Sequence, residues 1–187
     1  MRISIFGLGY VGAVCAGCLS ARGHAVIGVD ISPSKIDLIN QGKSPIVEPG
    51  LQALLEAGVK AGTLSGSTDV QAAVHSTELS LLCVGTPSKR NGDLALHFIE
   101  SVCAQVGAAL REKSAWHSVV VRSTVLPGTV RNVVIPILEE CSGKRAGIDF
   151  GVAVNPEFLR ESTAIEDYNY PPMTVIGELD QRSGDLL

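Results

Sequence analysis

Short, unbroken apolar runs alternate along this chain with longer segments whose apolar residues recur at helical spacing. RISIF at Arg2–Phe6 reads as a buried strand, and Tyr10–Ala21 as a helix with small residues on one face. A strand follows at Ala25–Asp30, then a helix over Pro33–Gln41 with Ser32 as its N-cap ahead of the proline. Leu51–Ala61, between Pro49-Gly50 and Gly62, predicts a helix, Leu64–Ser67 a short strand and Val70–His75 a short helix. LSLLCV at Leu79–Val84 and SVVVR at Ser118–Arg122 read as buried strands flanking a helix over Leu96–Arg111. Thr86–Asp93 is a polar loop that carries Pro87 and Asn91-Gly92. Beyond these come a helix over Gly128–Glu140, a strand over Phe150–Val154 and an irregular stretch over Asn155–Pro172. A last strand is predicted at Met173–Ile176, and a helix starts near Gly184. Strands that are apolar throughout are covered on both faces. Alternating with helices, they predict an α/β fold with a mainly parallel sheet.

Composition narrows the function. At 187 residues and 45% hydrophobic, the chain fits one domain with a sizeable core. The net charge is −4 and no basic run occurs, so there is no electrostatic case for nucleic acid or an anionic membrane. No apolar run approaches the roughly 18 residues of a membrane span. The first apolar stretch is broken by glycine and lacks a basic flank, so the expectation is a cytoplasmic protein. Its five cysteines lie inside apolar stretches and predict reduced, buried thiols. Cys15-Ala16-Gly17-Cys18 falls within the first helix, with no second ligand pair at zinc spacing, and reads as core. The four histidines are dispersed at element ends or surfaces, and none reads as a base.

The candidate chemistry begins at Phe6-Gly7-Leu8-Gly9-Tyr10-Val11-Gly12. A GxGxxG run is weak alone, but here a strand precedes it, a helix follows it, and Asp30 closes the next strand 18 residues beyond Gly12. Gly7 would permit the tight turn, Gly9 the approach of a pyrophosphate, and Gly12 close packing of the helix. The helix N-terminus would offer free N–H groups to the phosphates. Asp30 would accept from the adenine ribose and repel a 2′-phosphate, which favours NAD over NADP. Lys35, five residues on, is either a ribose-phosphate contact or a solvated lysine. Together these features sharpen the fold to a Rossmann-like, doubly wound sheet with helices on both faces.

FGLGYVG, CVGTPSKRNGDL at Cys83–Leu94, VVRSTVLPGTV at Val120–Val130 and NPEFLRES at Asn155–Ser162 resemble the UDP-glucose/GDP-mannose dehydrogenase family. The four motifs stand in the family's order and span essentially the whole chain. VEPGL with the later GTPSKRNGDL leans toward GDP-mannose as the nucleotide sugar; UDP-glucose is the alternative. The resemblance implies an NAD-dependent enzyme that oxidises a primary alcohol of its substrate to a carboxylate with two NAD. It implies, for the full-length protein, a homo-oligomer serving polysaccharide biosynthesis, alginate included. It further implies that Gly7, Gly9, Tyr10, Val11 and Gly12 form the dinucleotide loop, with Asp30 and Lys35 on the adenosine side. Thr86 and Thr124, each just past a strand's carboxyl end, become cofactor contacts. Thr124 could also hold a catalytic water, or cap the next helix.

Glu157 and Glu161 lie four residues apart, and would share a face if PEFLRE were helical. As bare acids they read as a solvated face. The resemblance instead implies that Glu161 contacts substrate and assists the water step, while Glu157 shapes the pocket. Arg122 and Arg160 are nearby cations that could hold carboxylates in place. Ala95 stands where the family often has Asp, a change expected to touch local structure more than chemistry. The family's nucleophilic cysteine, and the substrate-binding Lys and Asn of its long central helix, match nothing here. The expectation is therefore one NAD-binding domain over residues 1–187, inactive alone. Two other readings are a stand-alone NAD-binding regulatory module and a hydroxy-acid dehydrogenase; the latter leaves PEFLRES and RSTVLPGTV unexplained.

Overall fold

The computed structural model describes residues 1–89 and 92–187. The expected turn residue Asn91 lies outside them; Gly92 has a left-handed φ of 86°. The strands are β1 (Arg2–Phe6), β2 (Ala25–Val29), β3 (Leu64–Ser67), β4 (Leu79–Leu82), β5 (Ser118–Val121), β6 (Gly151–Val154) and β7 (Gly177–Glu178). They form one sheet in the order β3-β2-β1-β4-β5-β6-β7. All pairs are parallel except β6–β7. The order reverses between β1 and β4, and such a switch point opens a crevice at the strands' carboxyl ends.

The helices are α1 (Tyr10–Ala21), α2 (Pro33–Asn40), α3 (Leu51–Lys60), α4 (Val70–Ser76), α5 (His97–Glu112), α6 (Ile135–Ser142), α7 (Ala164–Asn169) and α8 (Gln181–Leu186). Side chains alternate across each strand, so the two sheet faces build separate cores. Ile3, Ile5, Val26, Leu79 and Leu81 pack with α1 and α3 residues such as Val14, Leu51 and Leu55. Phe6, Leu82, Val119 and Val121 pack on the other face with Ile99, Val106, Leu110 and Leu138 of α5 and α6. Fully buried large side chains such as Phe6, Leu55 and Leu138 each stabilise by about 1.5–3 kcal/mol relative to exposure.

Several expectations are corrected. The last strand is Gly177–Glu178, antiparallel to β6, not Met173–Ile176; pairing, not hydrophobicity, defines it. The irregular stretch contains α7, whose short apolar content gives little periodicity. The Gly128–Glu140 helix opens instead as a π-helical turn over Val130–Val134 and runs on in α6 to Ser142. Ser32 precedes α2 but its side chain caps nothing; it bonds Ser34 at 2.9 Å. Thr124 is no cap either, since the helical turn begins only after Thr129. PEFLRE is not helical, so Glu157 and Glu161 share no helix face.

A candidate dinucleotide-binding site at the sheet's carboxyl edge

Gly7 has a φ of 92°, and a Cβ there would stand 2.9 Å from the Cys83 carbonyl oxygen. At Gly12 a Cβ would reach within 1.8 Å of the Gly7 carbonyl oxygen, so only glycine lets α1 start this close to the loop. Gly9 is different. A Cβ there meets nothing within 4 Å, which leaves backbone exposed toward open space. Gly9 is also the N-cap of α1 and supplies no side-chain bond, so first-turn amides such as those of Tyr10 and Val11 have no capping oxygen. Backbone donors that face an open volume at a helix N-terminus suit a phosphate.

A hollow of about 310 Å³ lies at the β1–β4 switch point, lined by Gly7, Gly9, Asp30, Lys35, Cys83 and Phe98 among others. Asp30 does two jobs there. Its Oδ2 accepts from the Leu8 amide at 2.7 Å and from Lys35 Nζ at 3.3 Å; its Oδ1 accepts from the Ser32 amide at 2.9 Å. The carboxylate therefore braces the glycine loop. A carboxylate offers about four acceptor positions, so Oδ1 keeps capacity for a further donor such as a ribose hydroxyl.

The loops after β4 and β5 are joined by Thr86 Oγ1, which donates to the Thr124 carbonyl at 2.6 Å. Thr124 itself is exposed and lines a second hollow of about 580 Å³ with Pro127, Val154, Pro156 and Val175. Glu157 lines a third, of about 260 Å³, with Arg122, Asn155 and Tyr168. Its carboxylate accepts from the Leu159 amide at 2.7 Å. Glu161 is exposed on the turn before α7.

Arg160 holds a carboxylate in place, as expected, whereas Arg122 forms no ion pair among the described residues. Arg160 pairs with Asp167, at 2.7 Å from Nη2 to Oδ1, and its guanidinium and amide hold Asp167 down to about 2. Arg122 Nε donates to Cys15 Sγ at 3.2 Å, and its Nη1 bonds the Asn155 side chain. All five cysteines are free and four are buried. The Cys83 thiol donates to Cys15, and with the Arg122 charge this draws the Cys15 thiol down against its burial. Among the described residues no group of three His, Cys, Asp or Glu is placed to hold a metal ion, and no helix is long and apolar enough to cross a membrane.

Sequence reasoning missed Glu48, Asp167 and Ser162. Glu48 is 7% exposed and takes hydrogen bonds from the Tyr10 hydroxyl and from the Ser162 and Ala164 amides, both at 2.9 Å. Partial burial and the Glu48 carboxylate raise Tyr10 to about 12. Ser162, with a φ of 71°, is the one described non-glycine residue in the left-handed region. The available signal was the acid of Val47-Glu48-Pro49-Gly50-Leu51, a run used above only for the resemblance it carries.

The profile of the UDP-glucose/GDP-mannose dehydrogenase family, NAD binding domain, matches residues 1–187. The chain belongs to that family. The domain binds NAD, in keeping with the glycine loop and Asp30. Over the whole chain, identity is 74% to GDP-mannose 6-dehydrogenase of Pseudomonas aeruginosa and 78% to that of Azotobacter vinelandii. It is 39% to UDP-glucose 6-dehydrogenase of Haloferax volcanii. The chain spans 43% of the length of each of these relatives. In crystal, a ternary complex of the Pseudomonas aeruginosa GDP-mannose dehydrogenase superposes with a TM-score of 0.99 at 74% identity, over 100% of this chain and 43% of that one. A UDP-glucose dehydrogenase from Pyrobaculum islandicum superposes with a TM-score of 0.93 at 40% identity, over 99% of this chain and 42% of that one.

Proposed function

We propose that this chain is the NAD-binding part of a GDP-mannose 6-dehydrogenase, which oxidises GDP-mannose to GDP-mannuronate with two NAD. The observation that carries this reading is the whole-chain identity of 74–78% to proteins of that name, against 39% to a UDP-glucose enzyme. When bound, NAD takes a hydride from the sugar's C6 carbon, and a second NAD does so again. Between the two transfers an enzyme thiol adds to the aldehyde as a thiohemiacetal; the second hydride loss turns this into a thioester, which water hydrolyses to the carboxylate and the free thiol. That cysteine thiol belongs to the part of the full-length enzyme beyond the NAD-binding domain.

The roles proposed for this chain are as follows. Gly7, Gly9 and Gly12 shape the loop, and the first-turn amides of Tyr10 and Val11 receive the pyrophosphate. Asp30 accepts from the adenine ribose, with Lys35 beside it. Thr86 and Thr124 line the path toward the nicotinamide. Glu157 shapes the sugar pocket. Glu161 orients the hydrolytic water and takes its proton, a task for a carboxylate and not for an amide. The full-length enzyme is proposed as a cytoplasmic homo-oligomer whose product feeds polysaccharide assembly such as alginate; free thiols fit a reducing compartment. Calorimetry on this chain should show NAD binding, while GDP-mannose with NAD should give no steady NADH production. Turnover by the purified chain would overturn the division of labour, and absence of NAD binding would overturn the site.

A further inference from the structure

Glu161 sits exposed on a turn whose neighbours on both sides are held by buried carboxylates. The Arg160 amide donates to Asp167 Oδ2 at 2.9 Å, and the Arg160 guanidinium closes on the same group. The Ser162 amide donates to Glu48 Oε2 and the Ala164 amide to Glu48 Oε1, each at 2.9 Å. Asp167 has a cation for partner, whereas Glu48 takes part in no ion pair among the described residues. Its charge is met by the two amides and the Tyr10 hydroxyl. Burying a carboxylate without a counter-ion is costly, and packing alone would be served better by an apolar residue.

The turn itself needs restraint. Ser162, next to Glu161, has a left-handed backbone that L side chains rarely adopt, and its amide is one of the two that Glu48 holds. The third donor to Glu48 is Tyr10, the residue directly after Gly9 of the dinucleotide loop. Glu48 therefore joins the start of α1 to the start of α7.

We infer that Glu48 is a positioning residue for the reaction: it fixes where the Glu161 carboxylate stands by holding Ser162 and Ala164, and through Tyr10 it ties that placement to the dinucleotide loop. The inference rests on the proposed role of Glu161 in the hydrolytic step. Glu48→Gln keeps size and one acceptor oxygen but puts an amide nitrogen where Tyr10 and Ser162 need an acceptor.

The test is made in the full-length enzyme, with Glu48→Gln, Glu161→Gln and the double variant. Stopped-flow kinetics would separate first hydride transfer from later steps, and mass spectrometry would look for a covalent enzyme–sugar adduct. Glu48→Gln should lower kcat by about ten- to hundredfold, the scale of a displaced catalytic group, with KM for NAD within about threefold. The adduct should accumulate, and the double variant should be no slower than Glu161→Gln alone. A merely structural role would not reproduce this split or this adduct. Unchanged kcat in Glu48→Gln beside a slowed Glu161→Gln, or losses that multiply in the double variant, would overturn the inference alone. A wild-type hydrolytic step in Glu161→Gln would overturn the reading of Glu161 and the inference with it. Should Glu48→Gln not fold, Tyr10→Phe removes a single donor: a lowered kcat with adduct supports the link, and wild-type kcat overturns it.

Discussion

The two edges of the same sheet both carry polar groups and use them oppositely. At the amino edge, Ser4 bonds Thr77 and Ser80, and Ser80 Oγ meets His117 Nε2 at 2.7 Å. Lys113 Nζ closes the set on His117 Nδ1 at 2.9 Å and on the Val74 and Thr77 carbonyls. These groups are buried, and no buried side-chain polar atom among the described residues lacks a partner. Burial first, and the Lys113 charge second, push His117 down to about 3; burial pushes Lys113 down to about 8. At the carboxyl edge the loop faces space at Gly9, α1 starts without a side-chain cap, and Thr124 is exposed. Displaced titration is often a pointer to function, yet here the most displaced histidine belongs to the closed edge. What marks the site is donor capacity left open, not a perturbed histidine.

The glycine loop offers the largest effects with which to break that contrast. Gly12→Val should abolish NAD binding, a loss above about a hundredfold, since the added Cβ collides with the Gly7 carbonyl oxygen. Gly9→Ala should also weaken NAD binding but leave thermal stability within about 1 °C, because its methyl enters empty space. Calorimetry and thermal unfolding of both variants check this. A Gly9→Ala chain that binds NAD normally would show that the open volume is not the phosphate's.

Asp30→Ala comes next. Loss of a charge-assisted ribose bond should cost about 1.5–3 kcal/mol of NAD affinity and lessen the discrimination against NADP. Because Asp30 also braces the Leu8 and Ser32 amides, the same change should lower the unfolding midpoint. Unchanged affinity for both cofactors would place the ribose elsewhere.

The amino edge should respond to acid instead of to cofactor. His117 binds a proton near 6.5 when unfolded but only near 3 when folded. The unfolded chain therefore holds the extra proton between those values, and stability present above 6.5 is lost as pH falls through this window. From about pH 7 to pH 5 the loss from this group should be about 2 kcal/mol. Urea midpoints at the two pH values measure it, and His117→Gln should flatten the dependence. A wild-type slope in that variant would assign the loss to other groups.

Much of the dinucleotide half was legible in the chain, because its determinants are local. An apolar run, three glycines at fixed spacing and an acid after the next run describe one strand–turn–helix–strand unit, and β1, α1 and β2 form there as expected. β3 falls on the expected Leu64–Ser67 for the same reason. By contrast, PEFLRE carries helical spacing but runs irregularly to a turn: Glu157 takes the Leu159 amide, Asp167 the Arg160 amide, and Glu48 that of Ser162 just beyond.

The sequence by itself determined the alternating layers, the parallel sheet, the glycine turn and the family. Each follows from backbone preferences and burial patterns that act over a few residues, or from motifs in order. Only the tertiary structure decided that Glu48 reaches the Glu161 turn, that Arg160 serves Asp167, that Thr86 joins Thr124, and that His117 is sealed in a polar core. Except for Arg160 and Asp167, seven residues apart, those pairings link residues far apart in the chain. They are settled by which buried donors and acceptors the folded layers leave face to face, and a buried polar group must find its partner wherever the fold supplies one.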